Sequence, residues 1–299
     1  MINKTALSSD YKDKKSCRKI RLIILQKSET VSDYSSVLSF LEGAEMECKK
    51  RGIALSVYNL NHCSNRCKKQ LKIILEDLST PTLLYGINFP VEVIHAFHSV
   101  YTPVVYFGYQ STGAAIDEVV VDNKHLVKSA INYLIQNGHS RIGFIRDKYN
   151  ASVIEEKLDE FVSEMIKRKI PVMYENIIEL YDDGKGDRPN YGIDRKATAF
   201  LADNDIVALK AIKLFRQTGY RIPEDISVLG SGNISFSGIS SPGLTTFRIP
   251  KKEIGSTAVM RLCEMTELTG NEKIKISVQA ELVKRNSVKD INCVKQLTT

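Results

Sequence analysis

The stretch Glu224-Asp225-Ile226-Ser227-Val228-Leu229-Gly230, then Ser241-Pro242-Gly243-Leu244-Thr245-Thr246-Phe247-Arg248 and Lys252-Glu253-Ile254-Gly255, reads as strand, loop, strand, helix. On its amino-terminal side the pattern is the same. A helix is expected over 205–218, closed by Gly219, after strands over 177–180 and 197–201. Further back, the helix over 152–168 has Ile154, Leu158, Phe161, Met165 and Ile166 as its apolar residues. It follows a strand over 141–145. Before that, Asp122 or Asn123 can cap a helix with Leu126, Ala130, Ile131 and Leu134 on its core face and Gly138 at its end.

Residues 20–121 show the same alternation. Strands are expected over 21–25, 53–58, 82–85, 104–107 and 119–121. Helices fall over 34–51, where Val37, Phe40, Leu41 and Ala44 share a face, over 67–78, and near 91–97. Two βα series in one chain predict an α/β protein with two doubly wound parallel-sheet lobes. Residues 1–19 are polar, lack apolar periodicity and read as a flexible arm.

Composition sets the outer bounds. The 299 residues suit two domains, and 43% hydrophobic with 26% charged residues is a soluble globular balance. A net charge of +7 is mild, and its denser runs, 12–21 and 167–169, read as solvated faces or tails. The longest apolar run near the start, Ile23-Ile24-Leu25, is far short of a signal-peptide core or a membrane span, so a cytoplasmic protein with no membrane partner is expected. Six scattered cysteines fit a reducing compartment. His62, Cys63 and Cys67, with His95 and His98 further on, lack the paired spacing of structural zinc; no metal or cofactor is expected.

The 224–255 stretch closely resembles the sensor region of bacterial repressors of the lactose/galactose repressor (LacI/GalR) family, in its strand, its Pro-x-Leu-Thr-Thr loop and its helix opening near a Gly. Further motifs agree in order and spacing: Val121-Asp122-Asn123, Gly138-His139 with Arg141-Ile142, Asn204-Asp205 with Ala208-Leu209, and Glu281-Leu282-Val283. The resemblance covers about 20–290. It implies a fold like periplasmic sugar-binding proteins, two lobes joined by three crossovers near 121–123, 247–250 and 274–278. The lobes would be 20–121 plus 250–275 and 122–249 plus 276–290, with 291–299 as a tail. It also implies a cleft where helix amino termini meet a polar ligand, a homodimer, and a sugar or other polar metabolite, or a protein corepressor, as effector.

The resemblance assigns ligand contact to Asn204 and Asp205, to Lys157 where the family has an arginine, and to Tyr34 as an aromatic opening the first long helix. Family aspartates fall on Gly108 and Gly232. Each lost carboxylate would cost a polar ligand about 1 to 3 kcal/mol. Asn204 also reads as a helix cap, Lys157 as a solvated residue beside Glu156 and Glu160, and Arg248 as structural. Segment 181–196, where the family has an amphipathic helix, reads as loop. No helix-turn-helix precedes the sensor in this sequence, so DNA contact would need a head not in the chain. A stand-alone solute or protein sensor is the alternative. Catalysis is disfavoured: Gly230-Ser231-Gly232 lacks the third glycine and leads into Ser/Pro-rich coil, and neither a Gly-x-Ser-x-Gly nor a His-Glu-x-x-His motif occurs.

Overall fold

The computed structural model describes residues 17–26, 31–61, 65–86, 91–99, 102–108, 116–147, 152–182, 187–189, 197–267 and 273–292. The chain runs through β1 (Lys19–Gln26), α1 (Val31–Lys50), β2 (Ala54–Asn61), α2 (Asn65–Glu76), β3 (Thr82–Gly86), α3 (Val91–Ser99), β4 (Val104–Gly108) and β5 (Asp117–Val121). It continues with α4 (Asn123–Gln136), β6 (Ile142–Asp147), α5 (Ser152–Lys167), β7 (Ile177–Asp182), β8 (Asp187–Pro189), β9 (Ala199–Ala202), α6 (Asp205–Gln217), β10 (Ser227–Gly232) and α7 (Ser235–Ile239). Last come β11 (Thr245–Arg248), α8 (Lys251–Glu267), β12 (Lys275–Val278) and β13 (Glu281–Val283).

These strands form two sheets, ordered β12-β5-β4-β3-β1-β2 and β13-β11-β10-β9-β6-β7-β8. The first is parallel throughout; the second is parallel except for its two edge strands, β8 and β13. Helices cover both faces of the first sheet, which is why β3, β4 and β5 are buried along their whole length. Strand alternation divides β1 between two cores. Ile20, Leu22 and Ile24 join Phe40 and Ala44 of α1 and Leu262 of α8, while Ile23 and Leu25 join Ile74 of α2 and Phe97 of α3. Helices α1 and α8 approach closely because each presents a glycine: a Cβ on Gly43 would stand 1.8 Å from the Lys252 carbonyl oxygen, and one on Gly255 2.1 Å from that of Phe40.

The chain passes between the sheets three times. Asp122 separates β5 from α4, Ile249-Pro250 separate β11 from α8, and Gln279-Ala280 separate β12 from β13. Each passage leaves the carboxyl end of a strand, and one or two residues span at most about 7 Å. The carboxyl edges of the two sheets therefore lie against each other. Bonds across the passages fix them: the Asp122 amide donates to the Val278 carbonyl at 2.9 Å, and the Arg248 guanidinium meets the Glu281 carboxylate at 2.6 Å. Arg248, for which the sequence suggested a structural role, thus makes an ion pair across the second and third passages.

Two expectations are corrected. The 181–196 segment is not all loop: β7 extends through Asp182, and β8 pairs back antiparallel with Asp187 opposite Asp182. The Asp183-Gly184-Lys185-Gly186 connection lies outside the described residues, as does 190–196. The Ser/Pro-rich run after Gly232 contains a short helix, α7, which propensity alone did not indicate. Its buried Ser237 bonds Asp205, so a long-range contact supplies what the local sequence lacks. The arm over 1–19 lies outside the described residues up to 16, and Lys19 already belongs to β1. No described helix is long and apolar enough to cross a membrane.

Candidate functional site

In the second sheet, the carboxyl edge that meets the first sheet, where the resemblance expects a cleft, is made by the ends of β6, β9 and β10 and the helices that follow them. Asn204 ends the β9 turn with extended backbone and caps α6: its Oδ1 accepts from the Ile206 and Val207 amides, both at 3.0 Å. Its Nδ2 donates to Asp203 Oδ2 at 3.0 Å. Asp205 is 1% exposed and turns inward, accepting from the Ile234 amide at 3.0 Å and from the hydroxyls of Ser237 and Thr246. It thus ties α6 to α7 and β11, and its carboxylate sits at the positive end of α6.

Lys157 is not solvated beside Glu156 and Glu160. Its Nζ donates to the Asp203 carbonyl at 2.8 Å and stands 3.1 Å from Asp203 Oδ1, with both side chains under a tenth exposed. Lys157, Asp203 and Asn204 form one connected polar cluster at the cleft edge. Asp205 adjoins it in sequence but bonds elsewhere. The side chain of Tyr34 lies outside the described residues; its backbone stands in the first turn of α1, which opens three residues earlier than expected, at Val31.

The two glycines on which the resemblance places family aspartates have local reasons. A Cβ on Gly108 would meet the Tyr106 hydroxyl at 2.1 Å, and that phenol donates to the Gly86 carbonyl at 2.8 Å. Gly232 has φ +133, a backbone conformation that an L side chain adopts only with strain.

Four features escaped sequence reasoning. Asp203 is one; nothing about an Asp before Asn-Asp says that it will hold a lysine 46 residues away. Ser231, 3% exposed near the carboxyl end of β10, has a hydroxyl with no hydrogen-bond partner. Lys251 and Ser36, both 8% exposed, bond across α8 and α1 at 2.6 Å. Lastly, His139 bonds Thr198 Oγ1 and the Lys289 carbonyl, each at 3.0 Å, pinning the carboxyl-terminal segment to the far end of the second sheet. Burial holds the His139 pKa below its ordinary value. Among the described residues no group of three or more His, Cys, Asp or Glu side chains is placed to hold a metal ion. His62 and Cys63 lie outside the described residues, as does the side chain of Cys67.

The family model for the periplasmic binding protein-like domain matches residues 131–288, more than half of the chain. The chain belongs to that family. Among similar proteins is the transcriptional repressor PurR of Aliivibrio salmonicida (strain LFI1238), 27% identical over 253 residues, which cover 83% of this chain and 76% of PurR. PurR of Photobacterium profundum is 36% identical over a shorter 167 residues, 54% of this chain and 50% of that protein. A solved structure of the LacI-family regulator CCPA from Weissella paramesenteroides with bound sucrose superposes with a TM-score of 0.75 at 21% identity, over 92% of this chain and 100% of that one. A complex of the regulator CelR with cellobiose gives 0.74 at 18%, over 91% and 86%. Such distant structures establish the fold; with the repressor relatives, the chain is the sensor region of a LacI/GalR-type transcriptional regulator.

Proposed function

We propose that this sensor region binds a small polar effector between its two lobes and reports occupancy by a change in how the lobes sit together. The lobes are read as 20–121 plus 250–278 and 122–249 plus 279–290; the last boundary, expected at 275/276 with a crossover near 274–278, moves because all of β12 pairs with β5 in the first sheet. The observation that carries the reading is the set of three short passages. By placing the carboxyl edges of both sheets together, they bring the polar ends of β9 and β10 and the amino termini of α1, α5, α6 and α8 to one cleft. A ligand touching both edges favours the closed arrangement by its differential affinity, and no covalent step is needed. Asn204, Lys157 and, from the first lobe, Tyr34 are the proposed contacts; Asp205 supports them by fixing α6.

The region acts in the cytoplasm as a homodimer, and DNA contact belongs to a head outside the two lobes. Exposed apolar side chains, Leu38 and Met46 on α1 and Phe236 and Ile239 on α7, supply surface for a second copy. Sedimentation at micromolar concentration tests the dimer, which a monomer would exclude.

The test of the cleft is a thermal-shift screen of sugars, sugar phosphates, purines and amino acids. A ligand at a hundred times its dissociation constant stabilises by about 2.7 kcal/mol. Asn204→Ala should abolish a shift seen with the parent protein; an undiminished shift would put the ligand elsewhere. Silence across the whole panel would point to a protein effector.

A further inference from the structure

Three cations among the described residues are more than nine-tenths buried: Arg21, Lys157 and Lys251. Two have a carboxylate. Arg21 meets Asp77 at 2.6 Å, and Lys157 meets Asp203 at 3.1 Å. Lys251 donates to Ser36 Oγ at 2.6 Å, and no carboxylate among the described residues lies within ion-pair distance of it. A buried ammonium with one neutral partner and no counterion is costly to keep, which makes the site receptive to an anion.

Its place in the fold says where that anion would come from. Lys251 opens α8 directly after the Ile249-Pro250 passage, and Ser36 stands in the second turn of α1, the helix that follows the carboxyl end of β1. Both residues therefore sit at the cleft edge of the first sheet, beside the positive ends of two helices. An ammonium, a hydroxyl and two helix amino termini all favour an oxyanion. On the opposite edge the cation is already neutralised, because Asp203 holds Lys157 through both its carbonyl and its carboxylate.

We propose that the effector carries an oxyanion, a phosphate ester or a carboxylate, and that Lys251 and Ser36 of the first lobe anchor it. This rests on the cleft being the effector site, and it names the chemical class that the site selects.

Inorganic phosphate titrated into the full chain at fixed ionic strength, followed by calorimetry and thermal shift, tests it, with acetate and chloride as the other anions. Phosphate should bind saturably. Lys251→Met should weaken it at least about tenfold, the scale of one lost charge-assisted hydrogen bond, and Ser36→Ala by a smaller factor. Lys252→Met, one residue on and already paired with Glu42, should leave the affinity unchanged. Melting curves without anion establish that each variant is folded, and Ser36→Ala carries the test if Lys251→Met is not. Acetate matching phosphate assigns a carboxylate; phosphate alone assigns a phosphate ester. No response to either beyond that of chloride, or full affinity in both Lys251→Met and Ser36→Ala, overturns the proposal. If neutral sugars or purines then still raise the melting temperature, the anion subsite falls alone; if they do not, the cleft reading falls with it.

Discussion

Replacing Asp205 by alanine removes the acceptor that joins α6, α7 and β11, and the size of the loss follows from what is left behind. Three donors face its buried carboxylate: the Ile234 amide and the hydroxyls of Ser237 and Thr246. The hydroxyls can rotate toward other acceptors, but the amide cannot. Hydrogen bonds to a charged group contribute about 1.5 to 3 kcal/mol each, less than additively within one network. Each donor left without an acceptor in the buried site costs a further penalty of about 1 to 3 kcal/mol. Asp205→Ala should therefore destabilise the protein by about 3 to 5 kcal/mol. With two lobes of ordinary size, that lowers the melting temperature by roughly 6 to 20 °C. Asp205→Asn keeps one oxygen and the shape, so about 1 to 2 kcal/mol is expected. Urea unfolding followed by far-ultraviolet circular dichroism measures both. An alanine variant within about 1 kcal/mol of the parent would refute the idea that this carboxylate organises the second lobe's cleft edge.

Lys157→Met leaves the Asp203 carboxylate buried without its cation and should cost about 3 to 5 kcal/mol, with the Lys157→Met/Asp203→Ala double variant recovering part of it; a double variant worse than the sum of the singles would contradict the pairing. Gly255→Ala sets a methyl group 2.1 Å from the Phe40 carbonyl oxygen, so α1 and α8 must separate, at about 1 to 3 kcal/mol in unfolding experiments. His139 is buried neutral with its pKa lowered, so the unfolded chain binds more protons in mild acid. Its contribution is fully present above the ordinary histidine pKa of 6.5 and is lost as pH falls from there toward the lower folded value. Melting temperatures at pH 7.5, 6.5 and 5.5 should fall more steeply in the parent than in His139→Gln.

Periodicity made most of the fold legible, because each helix stripe and each short apolar run reports one local burial pattern. The α1 face of Val37, Phe40 and Ala44 is buried as read, and so is the α4 face of Leu126, Ala130, Ile131 and Leu134. Caps were readable for the same reason: Asp122 accepts from the His125 amide within its own turn, and Asn204 from amides two and three residues on. What escaped depends on contacts between distant segments. The burial of Lys157 comes from the end of β9, and the Lys251 to Ser36 bond joins residues 215 apart. Helix α7 and the edge strand β8 were missed likewise, since a buried aspartate and an antiparallel neighbour stabilise them rather than their own propensity. The family alignment drew attention to Asn204 and Lys157 as ligand contacts, yet it could not tell that Asp203 bonds both.

Hydrogen–deuterium exchange with a ligand that raises the melting temperature tests the two-lobed clamp most directly. Exchange should slow on both sides of the cleft at once: around 203–207 and 231–237 in the second lobe, and around 36–40 and 251–255 in the first. Protection confined to one lobe, or found only at a surface away from the carboxyl edges, would contradict it.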